Sequence, residues 1–414
     1  MKNIRVSLVL FFAISVNICL AQTKLAAGIW RGALKTATGN EIPFNFEVTG
    51  DAGKQLIYII NGAERFKVDN ITSRGDSVFI KMPLFDSEFK LKQEAAGTTR
   101  SHLAGKWIKH LGDNDAAMDF YATPNTTWRF FPTPSKPAAD ITGRWSAIFG
   151  EGDSQDVTVA EFKQSGSKLT GTFLTTTGDY RYLDGVVTGN HMYLSCFDGG
   201  HAYTFTAEIN GQKLTNGKQY AGLTSIYKWV ATRDENAKLP DAYSLTALKP
   251  GYKKIAFSFK DITGKRVSLS DARFKNKVVI VQIMGSWCPN CMDETAYMVN
   301  YYKKYHKKGV EVVGLAYERT TDFAKSQKTL GQTKARFNVP YPLLITGYTS
   351  AAGEPAKSLP MLAKVVGFPT TIIIDKKGNV RKIHTGFSGP GTGSYYTEFI
   401  QEFEQLTDNL LAEK

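Results

Sequence analysis

The sequence predicts a multi-domain chain: a duplicated antiparallel β region of barrel or sandwich type, then a C-terminal α/β domain. Three observations carry this. A set of short motifs recurs with a period of about 115 residues between residues 28 and 232. Both copies alternate apolar and polar residues between turn signals, as in Ile42, Phe44, Phe46 and Val48, and again in Tyr203, Phe205, Ala207 and Ile209. That is the period of half-buried strands. Past residue 250, apolar runs of strand length alternate with helical stretches, which is the pattern of an α/β domain.

Residues 1–21 read as a signal peptide. Lys2 and Arg5 open it, Val6 to Leu20 is nearly all apolar, and Ala21 offers a cleavage point. The run is short for a membrane span. Cys19, in Val-Asn-Ile-Cys, is a poor match to a lipoprotein cleavage box. Export to the periplasm is the expectation. The net charge is +13, and removing Lys2 and Arg5 with the leader lowers it to +11. No dense Lys/Arg block and no aromatic–basic interleaving is present, so no nucleic-acid partner is expected. Loss of Cys19 leaves Cys196, Cys288 and Cys291. One close pair and one remainder fit a catalytic pair better than a disulfide scaffold.

The organisation follows from composition. A first β-rich repeat spans 22–130. The stretch 131–139 is a stiff linker with three prolines from Pro132 to Pro137. A second repeat spans 140–233, a polar joint 234–251, and the α/β domain 252–414. Gly28-Ile-Trp30 returns as Gly143-Arg-Trp145, and Phe46 aligns with Phe162. The segment from Gly62 to Arg65-Phe66 returns from Gly178 to Arg181-Tyr182. Gly105-Lys106 returns as Gly217-Lys218, and Phe120-Tyr-Ala-Thr123 as Trp229-Val-Ala-Thr232. Two stretches here could carry chemistry. Cys196, Asp198 and His201 fall within seven residues of each other. The first repeat lacks that Cys and His, so a buried strand thiol, a turn and a strand-start histidine are expected. Thr175 to Tyr180 reads as a hairpin connection.

In the last domain, the apolar strand from Lys277 to Gly285 runs into Trp287-Cys288-Pro289-Asn290-Cys291, and Met292 to Tyr305 continues as a helix. A helix start favours a thiolate through unpaired N–H groups and the positive dipole end. Pro289 suits the first helical position. Cys291 lies one turn on, within reach of a disulfide. A zinc site needs two further ligands at short spacing, and none follows. Cys288 is therefore the expected attacking thiolate and Cys291 the resolving one. Further elements are a strand from Ala256 to Asp261, a strand from Val310 to Ala316 and a helix from Thr321 to Gly331. A strand from Tyr341 to Ile345 precedes a helix from Glu354 to Val366 ended by Gly367. Strands from Thr370 to Asp375 and Val380 to Thr385 precede a terminal helix from Tyr395 to Leu411. Gly386 to Gly393 reads as a flexible rim.

Trp287 to Cys291, Glu294, and Gly367-Phe368-Pro369-Thr370-Thr371 ahead of Ile372 to Asp375 together resemble the thioredoxin superfamily. Within it the chain is similar to exported TlpA-like thiol–disulfide reductases, over about Tyr252 to Lys414. The resemblance implies a thioredoxin-like fold, a redox-active Cys288–Cys291 disulfide, and no cofactor or metal. It implies a cis Pro369 facing the pair, with the Phe368 backbone as a docking edge for an extended substrate. Trp287, Pro289, Phe368 and Pro369 would contact substrate. Glu294 matches the family's active-site glutamate, the proton acceptor for Cys291, while Asp293 beside it is expected to matter little. Substrates would be disulfides or thiols of envelope proteins, with electrons drawn from a membrane thiol donor. Two departures stand out: the Pro-Asn dipeptide between the cysteines, and Gln282 where thioredoxin has a buried Asp. Two other classes compete. One is a ligand- or partner-binding envelope protein with an auxiliary redox domain. The other is a peroxiredoxin-type peroxidase, which needs Thr or Ser three residues before its Cys and Pro seven before; Gly285 and Val281 stand there.

Overall fold

The structure is a computed structural model, and it describes residues 24–50, 54–96, 100–111, 114–152 and 155–413. The expected signal peptide and Cys19 lie outside the described residues. Among the described residues no helix is long and apolar enough to cross a membrane.

The chain before residue 234 forms two nine-stranded antiparallel sheets, each barrel-like. In the first, Gly28–Lys35 pairs with both Glu41–Thr49 and the last strand, Asp115–Pro124. Its two outer strands, Glu64–Val68 and Asn70–Arg74, are separated by Asp69 alone. In the second, Asp156–Ser165 pairs with both Gly143–Phe149 and Lys168–Thr175, which closes the ring. Closure leaves no long edge to pair with another chain.

The duplication is visible in side chains as well as register. Trp30 Nε1 donates to Ala26 O at 2.8 Å, and Trp145 Nε1 donates to Ile141 O at 3.0 Å. Gly105 faces Phe120 and Gly217 faces Trp229, as the motif alignment requires. One alignment needs correction. Gly28 faces Val48, whereas Gly143 faces Phe162. Phe162 therefore corresponds to Val48 rather than Phe46, because the chain from the glycine to its register partner is one residue shorter in the second copy.

Each barrel holds an aromatic core. Phe173 stacks on Phe205 at 4.8 Å and meets Trp229 edge-on at 5.1 Å. In the first barrel Phe44 stacks on Phe120 at 5.8 Å. The cores are not independent. Phe197, at the end of the second barrel's strand His191–Phe197, stacks on Phe44 at 4.5 Å and meets Trp107 edge-on at 5.4 Å. Each such pair adds about 0.5–1.5 kcal/mol beyond area burial. Asn61 fixes the crossing: its Nδ2 donates to Phe197 O at 2.9 Å, and its Oδ1 accepts from Phe197 N at 3.2 Å. The proline-rich stretch lies along the second barrel, with Ala138 N donating to Gly189 O at 2.8 Å.

The remaining chain builds a seven-stranded mixed sheet. Val278–Met284 is its centre, parallel to Val310–Glu318 and antiparallel to Thr370–Ile374. Every residue of Val278–Met284 is buried, which explains its unbroken apolar run up to Gln282. Four helices accompany the sheet: α1 (Pro289–Tyr305), α2 (Phe323–Phe337), α3 (Glu354–Ser358) and α4 (Ser394–Ala412). Two differ from expectation. Helix α2 begins at an Asp322 cap, which accepts from Lys325 N at 2.8 Å, and runs six residues past Gly331 to a left-handed Asn338. Helix α3 stops at Ser358 instead of reaching Val366. Pro360 disfavours helical backbone at Leu359 and has no N–H to continue the ladder. The strand expected from Tyr341 to Ile345 runs Leu343–Thr349.

Candidate active site

Cys288 is the N-cap of α1, with extended backbone. Its Sγ accepts from Cys291 N at 3.3 Å and lies 3.7 Å from Phe368 O. Pro289 occupies the first turn, where no N–H is needed. The Phe368–Pro369 peptide is cis. Cys288 and Cys291 are free thiols. Burial pushes the Cys291 thiol well up, and the Cys288 sulfur and Glu294 add to it. Trp287 folds back on the strand: its Nε1 donates to Tyr317 O at 2.9 Å, and its ring meets Phe368 edge-on at 5.4 Å. Ser286 is held by Glu318, whose carboxylate accepts from Ser286 N at 2.8 Å and Oγ at 2.6 Å.

Glu294 is fully buried behind the pair. It lies three residues after Cys291, which puts both on the covered face of α1. Its Oε1 accepts from Thr371 Oγ1 at 2.6 Å and its Oε2 from Gln282 Nε2 at 2.8 Å. Gln282 Nε2 also reaches Thr295 Oγ1 at 3.2 Å. Burial raises Glu294 to about 7, even against these two hydrogen bonds. Such a carboxyl exchanges protons near neutral pH.

The second barrel roofs this site. Its turn around Thr177 sits on the proline loop: a Cβ on Gly367 would overlap the Thr177 methyl group. A Cβ on Gly178, at φ +149, would overlap the Asn290 side chain between the cysteines. Next to the turn, Arg181 is buried among carboxylates from all three units. It pairs with Glu64 of the first barrel. Its Nε lies 3.1 Å from Asp293 Oδ2 on α1, and its Nη1 lies 3.9 Å from Asp198 Oδ2. Burial alone would lower the guanidinium, but Asp293, Glu64, Asp198 and Asp179 hold it above its ordinary value. Asp179 Oδ2 accepts from Gly389 N at 2.7 Å. The stretch from Gly386 to Gly393, expected as a flexible rim, is thus a docking surface for the second barrel.

Between roof and pair lies a cavity of about 910 Å³. Cys288, Trp287, Phe368 and Arg319 line it from below, and Tyr180, His201 and Tyr203 from above. Cys288 is 4% exposed.

The expected site residues Trp287, Cys288, Pro289, Phe368 and Pro369 meet around one point, with Cys291 and Glu294 behind them. The Cys196–His201 stretch forms a strand thiol, a turn and a strand start. His201 Nδ1 lies 3.2 Å from Asp198 Oδ2, and burial raises the Cys196 thiol well above its usual range. Among the described residues no group of three or more His, Cys, Asp or Glu side chains could hold a metal ion. Asp293, expected to be inert, is part of the Arg181 cluster; burial raises it to about 7. The sequence assigns Arg181 no role, and Thr175 to Tyr180, a stretch that could carry chemistry, reads there only as a hairpin connection. The repeat match of Arg65 with Arg181 gives no sign of their different surroundings. Arg319 and Glu318 follow an apolar strand and gave no signal at all.

A Cys pair delivered by a central strand to a helix start, opposite a cis-proline loop on a mixed sheet, defines a thioredoxin-like α/β domain. The chain belongs to the thioredoxin superfamily. Residues 234–398 match the Redoxin family. The chain is 30% identical to the thioredoxin-like protein YneN of Bacillus subtilis over 34% of its own length and 73% of that protein's. It is 29% identical to the thiol-disulfide oxidoreductase ResA of Bacillus subtilis, over 31% of this chain. It spans 64% of that relative's length, and 62% of the ResA of Bacillus thuringiensis. Among solved structures it is similar to a thioredoxin-family thiol:disulfide interchange protein of Chlorobium tepidum. That likeness has 23% identity and a TM-score of 0.30, covering 40% of this chain and 100% of the other.

Proposed function

We propose that this chain is a thiol–disulfide oxidoreductase of an exported compartment, working in the reducing direction through Cys288 and Cys291. The observation that carries the reading is Cys288 at the α1 N-cap, bonded to Cys291 N–H, with a buried neutral-range carboxyl behind the pair. The thiolate of Cys288 attacks a substrate disulfide and releases one thiol. Cys291 then attacks the mixed disulfide, and Glu294 takes its proton. The leader-like residues 1–21 support a periplasmic setting, and the names of the relatives support thiol–disulfide chemistry. A membrane thiol as electron donor and disulfides of envelope proteins as substrates are the readings the family suggests. The division at 22–130, 140–233 and 252–414 is part of the same proposal.

Trapping tests it. In the full chain, Cys291→Ser should accumulate a mixed disulfide on Cys288, and Cys288→Ser should trap nothing. Iodoacetamide should modify Cys288 before Cys291 or Cys196. Glu294→Gln should slow exchange about ten- to a hundredfold with the fold intact. Equal labelling of the three cysteines, together with wild-type exchange in Glu294→Gln, would refute the assignment.

A further inference from the structure

We propose that the disulfide reaching Cys288 is a small, carboxylate-bearing one, and that Arg319 selects it. The inference rests on the oxidoreductase reading above and puts a small disulfide in place of a protein one as its substrate. Two observations point to a small molecule. The edge beside Phe368, where an extended protein segment would dock, carries the Thr177 turn. What remains open to Cys288 is a cavity of about 910 Å³, within the roughly 300–1,000 Å³ range of small-molecule sites.

The charge is set by what the lining side chains already hold. Glu64 and Asp198 face Arg181, and Asp179 accepts from Gly389 N. His201 is bound to Asp198, and Asp156 stands at the exposed rim. Arg319 differs. Its guanidinium lies 5.3 Å over the Trp287 ring and close enough to Glu318, Tyr203 and Cys288 to interact electrostatically. Among the described residues no carboxylate lies within ion-pair distance of it. The adjacent Glu318 feels Arg319 electrostatically, but its Oε2 accepts from Ser286 and Thr329 and lies beyond ion-pair distance. A guanidinium lying over an aromatic face, beside a nucleophilic sulfur, suits a carboxylate. The rings of Tyr180, Tyr203 and Phe368 offer apolar walls for the rest of the molecule.

The step balances without a further component. The Cys288 thiolate breaks the R–S–S–R bond, forms Cys288–S–S–R, and releases RS⁻, which takes a proton from solvent. Cys291 gives its proton to Glu294 and attacks Cys288 Sγ, releasing the second RS⁻. The pair loses two electrons, and two RSH form. A dithiol donor returns the pair to its reduced form.

The test uses the reduced full chain and three small disulfides of similar size: dithiodipropionate (anionic), bis(2-hydroxyethyl) disulfide (neutral) and cystamine (cationic). Insulin serves as the protein disulfide. Each single-turnover rate, followed by Trp fluorescence, is divided by that of dithiothreitol with the same disulfide. The anionic probe should exceed the neutral one by about tenfold and cystamine by more, the scale of one charge-assisted contact. Insulin should be slowest. Arg319→Gln should bring the anionic-to-neutral ratio near one, whatever its effect on the absolute rates. A wild-type ratio near one, a ratio unchanged in Arg319→Gln, or insulin outpacing the small disulfides would overturn the proposal and leave the redox pair standing. Failure of every disulfide to oxidise the pair would overturn both.

Discussion

The two β units share their scaffold and part company at one hairpin. In the first, the turn at Gly62 leads into the strand Glu64–Val68, and Arg65 lies at the surface, 49% exposed, paired with Glu47. In the second, the matching strand is only Gly178–Asp179. Arg181 then turns left-handed at φ 57 and is buried at the junction of the three units. Scaffold positions such as Trp30 and Trp145, or Gly105 and Gly217, are common to both copies. The hairpin whose course differs faces the Cys pair. A duplicated fold has thus kept one copy as a neighbour and turned the other into a roof.

The sharpest way to break this comparison is to remove both arginines in turn. Arg181→Ala leaves buried carboxylates uncompensated, so a loss of about 3–5 kcal/mol is expected. Arg65→Ala breaks a surface pair and should cost under about 1 kcal/mol. Denaturant midpoints of the two full-length variants decide the matter, and equal losses would mean that the roof is not held by Arg181. A milder probe is Gly367→Ala, whose Cβ would meet Thr177. Overpacking there should cost about 1–3 kcal/mol and speed alkylation of Cys288 as the turn lifts. Gly62→Ala, at the first-unit turn that matches Gly178, at φ +53 with no atom nearer than 3.8 Å, should cost about 1 kcal/mol through backbone strain and leave alkylation unchanged.

The smallest effect is a pH dependence. Asp293 and Glu294 both titrate at about 7 in the folded chain, above their ordinary carboxylate values. A raised carboxyl pKa means that the folded state binds the extra proton. Its contribution is complete below the ordinary carboxylate range and is lost as pH rises through about 7. The wild-type midpoint should therefore fall between pH 5 and pH 8. Asp293→Asn and Glu294→Gln should each flatten that fall, and an unchanged slope in both would exclude these groups as its source.

Much of the redox domain was legible because its signals are local. The strand, the Cys spacing and Pro289 lie between Val278 and Cys291, and Glu294 follows Cys291 by a helix-face step. The helix expected from Glu354 to Val366 runs through Pro360, where the backbone of α3 has already ended at Ser358. The Phe46–Phe162 match failed because a single-residue difference shifts every later partner. The roof was illegible for another reason. Arg181 meets Asp293 across more than a hundred residues, and no periodicity encodes that meeting. The alternation that predicts a strand says nothing of what its turn will touch.

Phe197 belongs to the second barrel by sequence and to the first by where its ring rests. Transplanting either copy elsewhere would leave a hole in one partner and an unsheltered ring on the other. The repeat is the unit of copying, but it is no longer the unit of exchange. A change in ring size at position 197 must be answered at Phe44 or Trp107, so the two halves are bound to vary together.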